Sequence, residues 1–132
     1  MAEPAGQPFQ YAVVRVTPRV ERGERVNVGV VLLCRAHAYL GIRVGLGPRA
    51  LAALAALEPE LDLELLRAHL EGLRRVVEGD PAAGPVAALA PAERFHWAVS
   101  PSSTMIDASD QHTGLTRDAA ATLEHLARTL AG

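Results

Sequence analysis

The sequence predicts an α+β domain. The expected architecture is a mainly antiparallel sheet of about five strands in the order β-β-β-α-α-β-β-α, with the helices packed on one face. Three observations carry this expectation. Val-rich runs broken by turn residues fill the first 44 positions, two apolar stripes at helical spacing follow, and short strand-like runs then lead into a last helical stripe. A length of 132 residues with 49% apolar and 21% charged side chains is one domain with enough apolar surface for its own core. No run of about 20 apolar residues offers a membrane-spanning helix. The one cysteine, Cys34, excludes an intramolecular disulfide and any multi-cysteine metal site.

Residues 1–8 read as a short flexible tail, with neither the basic segment nor the apolar stretch of a signal peptide, and residues 9–132 as the single domain. Tyr11 to Thr17, Val26 to Arg35 and Tyr39 to Val44 read as strands, because they are β-branched and bounded by turn residues. Their links are short enough for an antiparallel meander. Pro48 suits the first position of a helix running to Leu57. Asp62 suits the cap of a second, whose stripe is Leu63, Leu66, Leu70, Leu73, Val76 and Val77. Gly79 and Pro81 end it. Residues 80–92 read as a loop with one turn of helix after Pro85. Phe95 to Ser100 and Thr104 to Ala108 read as two further strands joined by Pro101-Ser102-Ser103. Gly114 reads as a turn position needing positive φ. Thr116 or Asp118 reads as the cap of a last helix with the stripe Leu123, Leu126, Ala127 and Leu130.

Strand alternation assigns side chains to faces. Arg15, Asn27 and Arg43 are expected on one sheet face, above Gly29 and Gly41. Two guanidinium groups and an amide over a small-residue floor would suit an anion or a carboxylate-bearing ligand. The same pattern also describes the wet face of a half-exposed sheet. Both readings stay open.

The net charge is −2, which gives no general field for nucleic acid. Residues 1–49 hold seven Arg and three Glu, and residues 50–132 six Arg and twelve acids. The basic first part leaves weak nucleic-acid binding as an alternative. The five histidines have no metal-ligand spacing, and nothing calls for a cofactor or a metal. Phe95 and Trp97 read as core. A lone thiol without an export signal points to the cytoplasm.

Several ordered segments together carry a resemblance. Tyr11-Ala12-Val13-Val14-Arg15-Val16-Thr17-Pro18 leads into Gly23-Glu24-Arg25-Val26-Asn27-Val28-Gly29. Glu93-Arg94-Phe95-His96-Trp97, Ser103-Thr104-Met105-Ile106 and His112-Thr113-Gly114-Leu115 follow. The chain resembles the bacterial domain-of-unknown-function family three-zero-three-seven over nearly its whole length. The resemblance implies polar family positions at Arg15, Glu24, Asn27, Arg94, Ser103, Thr104, His112 and Thr113. It implies no reaction, and its gene neighbourhood implies a HipA-like kinase as a partner. Ser102 stands where members carry an Arg.

The expected ligand-binding residues are therefore Arg15, Asn27, Arg94, Ser103, Thr104, His112 and Thr113. The first expectation for function is a non-enzymatic accessory or regulatory module that binds a protein partner and a small anionic ligand. The alternative is a small hydrolase or transferase acting on a phosphorylated or acidic substrate, with Arg15 and Arg94 binding the substrate, His112 or Glu24 as acid or base and Ser103 as a nucleophile. Ser103, His112 and Asp107 or Asp110 lack a strained Gly-x-Ser-x-Gly turn, so no catalytic set is assigned.

Overall fold

The structure is a computed structural model that describes residues 6–100 and 105–132. Strands β1 (Gln7–Val16), β2 (Val26–Cys34) and β3 (Tyr39–Val44) form an antiparallel meander. Helices α1 (Pro48–Leu57), α2 (Leu63–Val77) and α3 (Pro91–Val99) follow, with two short 3₁₀ turns between α2 and α3. Strands β4 (Ile106–Ala108) and β5 (His112–Thr116) then lead into α4 (Ala119–Ala131). The sheet is antiparallel and five-stranded, so the α+β class holds. Its order is β3-β2-β1, with β4 and β5 sharing the far edge of β1.

That shared edge has a local cause. β4 pairs with Val14–Val16 and β5 with Gln7–Tyr11. Between them Ser109 serves Val13: its Oγ accepts the Val13 N–H at 2.9 Å, and its own N–H donates to the Val13 carbonyl. One residue thus satisfies both main-chain groups at the break. Gln7 and Pro8, read as the end of the tail, lie in β1 opposite Thr116 and Leu115.

The helices cover both faces, which corrects the expectation of one. On the first face, Ala12, Val14, Val16, Val31, Leu33 and Ile42 pack under Leu54 of α1, Leu66, Leu70 and Val77 of α2, and Phe95 of α3. On the second, Phe9, Val30, Leu32 and Cys34 pack under Ala119 and Leu123 of α4. The apolar run in β2 is buried on both sides for this reason. Val28 adds an extra residue opposite β1, where Val14 pairs with Gly29 and Arg15 with Asn27. Past this bulge the alternation resets. Val28 therefore joins Val31 and Leu33 on the first face, not Val30 and Leu32 as an unbroken period of two requires.

Two segments differ from the sequence reading. Phe95 to Ser100 is not a strand, because Pro91–Val99 is helical. Pro91 sits at its first position and Glu93 in its first turn, both favourable there. Phe95 is fully buried and Ala92, Ala98 and Val99 pack with it, a stripe at helical spacing. The second difference is β5. Gly114 is not at positive φ. It lies in that strand opposite Phe9, and a Cβ on it would sit 2.8 Å from the Phe9 ring. Asp118 caps α4 by accepting from the Ala121 N–H at 3.0 Å. The Thr116 hydroxyl is buried against that of Thr122 at 2.6 Å and accepts from the Asp118 N–H.

Candidate functional site

Arg15 lies opposite Asn27 in β2 and opposite Asp107 in β4, so the three form one row across the sheet. The Arg15 guanidinium grips Asp107 with two nitrogens, at 3.3 and 3.2 Å, and also donates to the Ala108 carbonyl. Arg25 stands 3.8 Å from the same carboxylate. Asn27 donates its amide to the Leu130 carbonyl at 3.0 Å, near the end of α4. Arg43 pairs with Glu124 of α4 and donates to its own neighbour, the Ile42 carbonyl. Arg15, Asn27 and Arg43 thus share the face that α4 partly covers. Above Gly41 the floor is filled by the Tyr39 hydroxyl and Leu123, and above Gly29 by the main chain of Arg43 and Val44.

The other sequence candidates lie apart. His112 is opposite Tyr11, with ring centroids 5.2 Å apart. Arg15 lies four positions along β1 from Tyr11, about 13 Å along a strand. Thr113 is exposed opposite Gln10. Glu24 is in the β1–β2 loop and pairs with Arg22, whose hydrogen bond holds its carboxyl below the usual value. Arg94 is on α3, where its Nε donates to the Val77 carbonyl at 3.0 Å and its Nη1 to the Leu89 carbonyl at 2.6 Å. It joins the end of α2 to the segment entering α3, and a cation suits that helix end. Ser103 and Thr104 lie outside the described residues. Among the described residues no group of His, Cys, Asp and Glu could hold a metal ion.

Sequence reasoning missed a cavity of about 530 Å³ between α2, α3, β1 and β4. Val14, Leu73, Val76, Trp97 and Ile106 supply apolar walls, and Ala68, Gly72 and Ala98 leave it open. His69, Arg75, Ser100 and Asp107 are its polar members. Trp97 is 37% exposed rather than in the core. The signal lay in the second flank of α2, where Leu65, Ala68, His69, Gly72 and Val76 recur at helical spacing. Leu65 extends that flank, 51% exposed. Arg75 donates from Nε to Asp80 Oδ2 at 2.8 Å, and this bond, with the Ala82 N–H, holds the Asp80 carboxyl below its ordinary value. Apolar walls with a few convergent polar groups are the usual make-up of a binding site.

No curated protein and no solved structure matches the chain. The family model described as "Protein of unknown function (DUF3037)" matches residues 11–131. That span takes in all four helices and every strand except the first residues of β1, and the chain belongs to this family.

Proposed function

We propose that the protein is a non-enzymatic accessory module that binds a protein partner and a small anionic ligand, with the α2–α3 cavity as its working surface. The observation that carries this reading is the cavity itself, open to solvent beside an exposed Trp97 and Leu65. Large apolar side chains at a concave surface mark recognition sites. The family resemblance points to a HipA-like kinase as the partner. A bacterial cytoplasm is the compartment proposed, in keeping with the free thiol of Cys34.

The test is co-expression with a HipA-like kinase from the same genome, followed by size-exclusion chromatography. The expected result is one co-eluting complex with the native chain and separate peaks with Ala68→Glu, which puts a charge on the cavity rim. Separate elution of kinase and native chain overturns the assignment of the partner.

A further inference from the structure

Gly72 stands in the middle of α2, where glycine weakens a helix relative to alanine. Among the described residues a Cβ there would meet nothing within 4 Å, and the backbone is not at positive φ. Neither packing among the described residues nor chain geometry requires glycine. What its missing side chain does is deepen the cavity. His69 and Arg75 lie three residues before and after it, so they flank the gap on the helix surface. His69 has no partner among the described residues. Arg75 gives Nε to Asp80, and its two Nη groups have no partner among the described residues. The one acidic residue among the described residues lining the cavity, Asp107, has its carboxylate gripped by Arg15 and approached by Arg25. Its charge is more than matched. Trp97, Leu73, Val76 and Ile106 form the apolar part of the same space.

We propose that this cavity binds a small amphiphilic anion. The acidic group, a carboxylate or sulfonate, sits over Gly72 between His69 and Arg75, and an aromatic or aliphatic body lies against Trp97. The volume of about 530 Å³ falls within the range of roughly 300–1,000 Å³ usual for small-molecule sites. The inference rests on the cavity being the working surface and names the ligand class it takes.

The chain has one tryptophan and it lines the site, so binding can be read from its emission. The probe is 1-anilinonaphthalene-8-sulfonate, compared with N-phenyl-1-naphthylamine, which has the same rings and no sulfonate. The expected result is saturable one-to-one binding of the sulfonate, with quenching of Trp97 and tighter binding than the neutral amine. Gly72→Leu fills the gap and removes a helix-interior glycine, and it should weaken the sulfonate at least about tenfold. Ala68→Leu is the second filling variant, and circular dichroism confirms that each is folded. Arg75→Gln should weaken the sulfonate about tenfold, the scale of one lost charged hydrogen bond, and leave the amine unchanged. Asp80→Asn breaks the same ion pair but keeps the guanidinium, so sulfonate binding should hold or tighten. No saturable binding, indifference to both filling variants, or equal binding of the neutral amine overturns the proposal. Kinase co-elution is a separate readout, so the partner assignment and the ligand site can fail independently.

Discussion

Phe9 lays its ring over Gly114 on the neighbouring strand, so close that a Cβ on Gly114 would stand 2.8 Å from two ring carbons. Phe9 is buried beneath α4 with Val30 and Leu32. Gly114→Ala must push the ring out of that packing. The expected loss of stability is about 1–3 kcal/mol, measured by urea denaturation. A change under about 0.5 kcal/mol would show that the ring moves freely.

Gly29 should be less forgiving. A Cβ there would lie 2.3 Å from the Arg43 carbonyl oxygen and 2.8 Å from the Val44 Cα, and main chain cannot rotate away as a ring can. Gly29→Ala is expected to destabilise more than Gly114→Ala and to loosen the β2–β3 pairing. Amide exchange of β3 residues should speed up selectively. Equal stability of the two variants would contradict this ordering.

Beside the Thr116–Thr122 hydroxyl pair, two polar side chains of the meander reach α4: Asn27 bonds the Leu130 carbonyl and Arg43 pairs with Glu124. The Arg43 pair is half-exposed, so alone it is worth about 0.2–1 kcal/mol. The Asn27 bond adds about 1 kcal/mol. Asn27→Ala should raise hydrogen exchange over the last turn of α4 and leave α1–α3 unchanged. Uniform loosening of all four helices would deny it a local role.

Arg94 forks between the Val77 and Leu89 carbonyls. Arg94→Met removes both bonds, with an expected loss of about 2 kcal/mol. Arg94→Lys should recover only part, because an ammonium lacks the planar fork. Full recovery with Lys would show that charge alone matters there.

The Asp80 carboxyl titrates below an ordinary aspartate because Arg75 and the Ala82 N–H stabilise its charged form. Its folded value is lowered, so the stabilising contribution is present above the unfolded value of about 3.9. It is lost as pH falls through the folded value. Carboxyl carbon NMR should find the Asp80 midpoint low in the native chain and higher in Arg75→Gln. An unmoved midpoint would show that the ion pair does not form in solution.

The meander was legible because β-branched residues, mostly Val, crowd three runs joined by short links, the first marked by Pro18 and Gly23 and the second only by Arg35-Ala36-His37-Ala38. The bounds of β3, α1 and α2 match the expected ones. The helix α3 was hidden by its own composition: Phe95, Trp97 and Val99 favour strands locally, and only tertiary burial of Phe95 settles the matter. The strand β5 was hidden by Gly114, whose purpose depends on a ring about a hundred residues away in sequence. Alternation placed Arg15, Asn27 and Arg43 on one face, but no pattern in the chain reveals that a terminal helix lies over it. The cavity was least legible, since it is made of what Gly72 and Ala68 lack, set against walls from other elements.

Arg94 clamps the exit of α2 to the entrance of α3, the two helices between which the cavity opens. Their separation is set by a charged fork to main-chain oxygens, so the hollow is pre-shaped before any guest arrives. Association should then follow simple one-step kinetics, with the on-rate proportional to guest concentration and no slow closing phase.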